Sequence, residues 1–170
     1  MQETNRKGVI KIAELGLVRI DDRLIHGQVV AVWLNHIRVD RIVIVDDGVA
    51  NDSFMQDVLR LAAPPGVTVD ARSVQEGAAT LGDEVRNRER IMVLMKSPKT
   101  ARRLFDSGIR FSHLNVGGIG AGPGRKSFFK NISMSEEEKD ILKSLVKDGV
   151  KITLQTVPGE KTADFASLVK

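Results

Sequence analysis

The chain contains no cysteine. Disulfides, thiolate catalysis and cysteine-based metal sites are therefore excluded. Aromatic residues are scarce, with six Phe, one Trp and no Tyr among 170 residues. A protein that stacks nucleobases would carry more of them, so nucleic acid is not an expected partner. Long apolar runs are also missing. The longest, residues 29–34, falls far short of the ~20 residues that span a bilayer. The N-terminus lacks the apolar stretch of a signal peptide. Neither G-x-x-x-x-G-K-S/T nor a strand-linked G-x-G-x-x-G occurs. Gly118, Gly120 and Gly122 have the wrong spacing and follow a late strand. These absences leave the expectation of a soluble, cytoplasmic protein.

What remains is an ordinary globular composition, 42% hydrophobic, with a modest net charge of +4. Such a charge suits a phosphate-bearing ligand, an acidic partner or plain solubility. The length fits one domain, here expected over residues 15–170 with an N-terminal extension at 1–14. Apolar runs alternate with amphipathic stretches, which is the βα pattern. Strands are predicted at 15–20, 41–45, 67–71, 91–95, 111–116, 127–132 and 150–155. The 41–45 run is nearly all β-branched, as in strands buried on both faces. Helices are predicted at 26–36, 51–63, 73–81, 97–107 and 135–148. The second is capped by Asn51 or Asp52 and stopped by Pro64-Pro65-Gly66. The last opens on the capping box Ser135-Glu136-Glu137-Glu138. Residues 117–124, with five Gly and one Pro, read as a loop. The expected fold is α/β, a three-layer α/β/α sandwich with a mainly parallel central sheet of six to seven strands. Ligands in such sheets bind at the carboxyl ends of the strands, where the winding direction reverses.

The end of the first strand carries the chemistry. The segment 19–28 holds Arg19, Asp21, Asp22, Arg23, His26, Gly27 and Gln28. A helix follows, and its first amides favour an anion. Gly27 lets the backbone approach closely. A neutral imidazole is a good nucleophile near neutral pH, and phosphoryl transfer needs mostly positioning and charge neutralisation. Arg23 can supply bidentate donors to phosphate oxygens. Asp21 or Asp22 can orient the imidazole of His26. Taken alone, His26 also fits a surface or capping residue, and Asp21-Asp22-Arg23 also fits a solvated turn.

Residues 18–29, read together with Trp33, resemble the active-site signature of the mannose/fructose/sorbose-family IIB proteins of the bacterial sugar phosphotransferase system. The resemblance continues through Arg41 to Asp47, Val49 to Asp52, Ala62 to Val67, Asn115 to Gly118 and Val157-Pro158. It implies a cytoplasmic phosphocarrier without metal or organic cofactor. It also implies a phosphoryl group taken from a IIA phosphodonor onto Nδ1 of His26. The group would pass to a sugar during import by membrane IIC and IID subunits, the only route to membrane contact. Residues 1–14 and the Gly-rich stretch 117–126 depart from the family pattern.

The strand-end rule nominates further residues. Asp46 could hydrogen-bond the active loop or make a turn. Ser73 could reach the site or cap a helix. Gly117, with Arg19, Gly27 and Gln28, could line the phosphate loop. Lys96, Arg125 and Lys126 could add positive potential or stay solvated. His36 and His113 read as structural, and Trp33 as core. The competing reading is a non-catalytic regulatory or phosphate-binding module on the same fold.

Overall fold

The computed structural model describes residues 10–11, 16–86 and 89–170. In chain order the elements are β1 (Ile10–Lys11), β2 (Leu17–Asp21), α1 (Gly27–His36), β3 (Arg41–Val45), α2 (Asp47–Ala50), α3 (Ser53–Leu61), β4 (Thr68–Arg72), α4 (Val74–Arg86), β5 (Ile91–Met95), α5 (Pro98–Asp106), β6 (Ile109–Arg110), β7 (His113–Gly118), β8 (Lys126–Phe129), β9 (Ile132–Met134), α6 (Glu136–Lys147), β10 (Lys151–Leu154), β11 (Ala163–Asp164) and α7 (Phe165–Leu168). The main sheet has seven strands in the order β11-β10-β7-β2-β5-β3-β4. Every pairing in it is parallel except β10 with β11.

Alternation along the strands builds two cores. Val18, Ile20, Val43, Val45, Val93 and Met95 pack with Leu81 of α4, Leu104 of α5 and Leu142 of α6. Their neighbours Leu17, Ile42, Ile44, Met92 and Leu94 pack with Val30 and Trp33 of α1 and Leu59 of α3. Successive side chains point to opposite faces, so a run of apolar residues must be covered on both sides. Burying each such side chain is worth about 1.5–3 kcal/mol before chain entropy. The result is the expected three-layer sandwich.

Helix starts follow their local chemistry. The side chains of Asp46, Asp52, Ser97 and Ser135 accept from the amides of Val49, Met55, Thr100 and Glu138. Ser135 and Glu138 form a complete capping box.

Several expectations need correction. The first strand extends through Asp21, placing that carboxylate in the sheet rather than in a loop. The helix expected at 51–63 is α3, capped by Asp52, and a short helix not expected from the sequence, α2, precedes it and ends at Asn51. Gly117 and Gly118 belong to β7, where Gly118 registers against Asp21. The strand expected at 127–132 is a hairpin, β8 and β9, turning at Lys130, whose φ is +44°. Strands of four and three residues around a tight turn are too short for their periodicity to separate them in sequence. The extension at 1–14 lies largely outside the described residues, and within it Ile10–Lys11 pairs with β6.

Candidate active site

β2 lies in the middle of the sheet, between β7 and β5. The chain winds from β2 toward β4, returns at β5, and continues on the other side through β7 and β10. Its carboxyl end is therefore the reversal point at which open α/β sheets bind ligands.

The first polar residue there is Arg19, only 1% exposed. Its Nη1 donates to Asn115 Oδ1 and to the Gln155 carbonyl at 2.9 Å. Its Nη2 donates to Asp21 Oδ2 at 3.0 Å and to the Thr156 carbonyl at 2.8 Å. Its Cζ lies 5.1 Å from the centroid of the Trp33 ring. Burial pushes the guanidinium pKa down from its usual value, while Asp21 opposes that shift. A cation enclosed this way positions its neighbours and cannot itself reach a ligand.

Asp21, also 1% exposed, passes the order outward. Its Oδ1 accepts from the Arg23 amide at 3.3 Å and from Arg23 Nε at 3.4 Å. The Arg23 side chain is about half exposed at 49%. It is the cation that this arrangement presents to the outside. Asp22 reaches across to the Gly-rich segment, where its Oδ2 accepts from the Gly120 amide at 2.7 Å. Arg125 holds the same segment through the Gly120 carbonyl and pairs with Glu138 at 2.7 Å.

His26 occupies the N-cap position of α1 in an extended conformation, and its side chain makes no capping bond. Leu24 and Ile25, both buried, anchor the loop in the α1-side core. The loop turns through left-handed backbone at Leu24 (φ +56°) and Gly27 (φ +42°). Gly27 was expected to allow a close backbone approach, but a Cβ there would meet nothing within 4 Å, and what the position uses is the glycine's left-handed backbone at the turn into α1. The ring Nδ1 of His26 lies 3.0 Å from the Leu24 carbonyl. Its Nε2 is shielded and has no hydrogen-bond partner.

The nominated residues divide into two sets. His26, Arg23, Asp21, Asp22, Arg19, Gly27 and Gly117 converge at the carboxyl end of β2. Gln28 is the second residue of α1, and its side chain lies outside the described residues. Asp46 and Ser73 stand apart. Asp46 caps α2, and Ser73 exchanges hydrogen bonds with Glu76 at the start of α4. They follow β3 and β4, two and three strands from β2, or about 10 and 14 Å at ~4.8 Å per strand. Trp33 is core, with its Nε1 donating to the Thr156 carbonyl at 2.9 Å.

Sequence reading missed Asn115, Thr156 and Asn131. Asn115 is a buried polar residue inside an apolar strand, a signal in its own right. Thr156 and Asn131 join only through the fold. Thr156 Oγ1 donates to Asn131 Oδ1 at 3.0 Å and lies 3.4 Å from the Gly117 carbonyl, to which Asn131 Nδ2 donates at 3.2 Å. Among the described residues, no three His, Asp or Glu side chains are grouped to hold a metal ion.

This arrangement brings a histidine, an exposed arginine and a helix N-terminus together at the switch point. Comparison with known proteins matches residues 15–170 to the family model for the sorbose subfamily IIB component of the phosphotransferase system. The chain belongs to that family. It is 34% identical to the sorbose-specific EIIB component of Klebsiella pneumoniae over 152 residues, covering 89% of this chain and 93% of that one. It is 32% identical to the mannose-specific EIIAB component of Escherichia coli K12 over 91% of its own length. It spans only 48% of that relative. The crystal structure of the IIBSor domain of the Klebsiella pneumoniae sorbose permease superposes with a TM-score of 0.86 at 33% identity, covering 90% and 94% of the two chains. As a family member the chain is a component of sugar transport by phosphotransfer. No helix among the described residues is long and apolar enough to cross a membrane.

Proposed function

We propose that this chain is a phosphocarrier whose His26 accepts a phosphoryl group from a phosphohistidine on a IIA protein and donates it to a sugar during import. The membrane steps would belong to IIC and IID subunits, which would also recruit the protein to the cytoplasmic face. The observation that carries the reading is the chain of contacts from buried Arg19 through Asp21 to Arg23, three residues before His26. It fixes a half-exposed cation in the loop that leads to His26, which stands at the start of a ten-residue helix. A transferring phosphoryl group needs that combination: a nucleophile, a fixed guanidinium and backbone amides.

The roles follow from placement. His26 forms the N–P bond through Nδ1, and the bond remains reactive enough to pass the group on. Arg23 neutralises charge on the phosphoryl oxygens. Asp21 and Arg19 hold Arg23, and Asp22 holds the Gly120 segment beside the site. The mannose-specific relative of twice the length carries EIIAB in its name. That supports a IIA protein or domain as the donor.

The test is phosphorylation with phosphoenolpyruvate, the two general phosphotransfer proteins and a cognate IIA, read by intact mass at alkaline pH. One phosphoryl mass, lost in acid and absent in His26→Ala, is the expected result. Arg23→Ala should accept the group on the order of 10²-fold more slowly. Equal phosphorylation of wild type and His26→Ala would overturn the assignment.

A further inference from the structure

We propose that Leu24 is a positioning residue that holds His26 in a resting state from which neither ring nitrogen can attack. Phosphoryl uptake then begins with a turn of the imidazole. This rests on the reading of His26 as the phosphoryl acceptor.

The first observation is at the ring. Nδ1 lies 3.0 Å from the Leu24 carbonyl oxygen. A carbonyl only accepts, so Nδ1 must carry the proton and has no lone pair to offer. In the neutral ring the lone pair then sits on Nε2. That atom is shielded from solvent and has no partner. One nitrogen is occupied and the other is enclosed.

The second observation is at Leu24 itself. Its φ of +56° lies in the left-handed region that leucine avoids. Such outliers persist where the surroundings over-determine them, and they concentrate at functional sites. Leu24 is fixed on several sides. Its amide donates to the Asp21 carbonyl at 2.9 Å. Its side chain, 3% exposed, is set in the α1-side core. Asp21 in turn is tied to buried Arg19. The left-handed turn at Leu24 aims the carbonyl at the ring, and the residue after the histidine, Gly27, is left-handed as well.

The uptake step then has a defined order. The Nδ1–H bond to Leu24 breaks as the ring turns. Nδ1 releases its proton to water, and Nε2 takes one up. The freed Nδ1 pair forms the N–P bond while the donor's N–P bond breaks, its electron pair returning to the donor's ring nitrogen. Docking of a protein donor can supply the turn, whereas a small phosphoryl compound meets a guarded ring.

The test is long-range proton–nitrogen correlation NMR on the unphosphorylated full chain at alkaline pH. His26 should appear as the Nδ1–H tautomer, with the exposed His36 as internal reference. A predominantly Nε2–H His26 would overturn the proposal. A second measurement uses Leu24→Gly, which accepts the left-handed backbone but loses the buried anchor. Its His26 should shift toward Nε2–H. It should also react with phosphoramidate, a small phosphoryl donor, roughly tenfold faster than wild type, the size of one lost hydrogen bond. An unchanged tautomer and rate in folded Leu24→Gly would also overturn the proposal. The two readings fail separately, because the tautomer is read with no partner and no phosphoryl group present.

Discussion

The guanidinium of Arg19 fills the space that a side chain at Gly117 would need. A Cβ built on Gly117 would overlap the guanidinium carbon and both of its terminal nitrogens. The glycine is required by this close approach, since its own φ does not fall among the left-handed ones. Gly117→Ala should therefore displace a buried cation from its partners, at a cost of about 3 kcal/mol or more. Gly122→Ala is the contrast, because a Cβ there meets only the flexible Arg125 side chain at ordinary contact distance. Urea unfolding should separate the two variants clearly. Equal stabilities would mean that Arg19 moves aside at little cost.

Asp21 and Arg19 form an enclosed ion pair, each 1% exposed at the side chain. Asp21→Asn would leave the guanidinium buried beside a neutral partner, a change that costs about 3–5 kcal/mol. Arg19→Met removes the charge but strands Asp21. The double variant should lose less than the sum of the singles, because neither charge is then left alone. A double-mutant cycle in urea checks this, and strict additivity would argue that the two do not interact. Asp21→Asn should also slow phosphoryl uptake, since Arg23 loses the carboxylate that orients it.

Much of this site could be read from the sequence because it is local. Asp21, Asp22, Arg23, His26 and Gly27 lie within seven consecutive residues, so one strand end and one helix start deliver them together. Trp33 was readable as core from its place on the apolar face of α1. The binding partners of Arg19 were not readable. They come from β7 and from the 155–156 segment, more than ninety residues away, and only the strand order brings them alongside. Arg19 looked like a phosphate ligand because its type and neighbourhood suit one. Burial decides otherwise, and strand parity alone did not reveal that a Gly on the adjacent strand had left room for it. Asp46 and Ser73 each took the local one of their two readings. A residue at a strand end is also a residue at a helix start, and both proved to be caps.

Asp22 and Gly120 are joined by a single 2.7 Å bond between the active loop and the Gly-rich segment. Asp22→Ala should cost little global stability, about 1 kcal/mol or less, because the contact is exposed. Its effect should be local. The Gly120 amide should exchange its hydrogen roughly tenfold faster, and uptake from the protein donor should weaken in apparent affinity more than in maximal rate. Unchanged exchange at Gly120 would show that Arg125, which also grips this segment, is sufficient by itself.

His113 begins β7, and its Nε2 lies 2.8 Å from Thr153 Oγ1 on the neighbouring strand. Burial disfavours its charged form and Lys151 repels it, so its pKa is held below the ordinary value. The sign follows from proton counting. Between the folded value and the ordinary one of about 6.5, the unfolded chain binds the proton that the native state refuses. Stability should then fall as pH drops through about 6.5 and level off once the native histidine also titrates. The depressed carboxylates Asp47 and Glu138 act in a lower window, below about pH 4.5, where their unfolded forms protonate. Melting curves between about pH 7.5 and pH 5 therefore isolate the histidine. His113→Asn should flatten the wild-type slope there while His26 and His36 remain in both proteins. Parallel curves for the two would place the pH dependence elsewhere in the molecule.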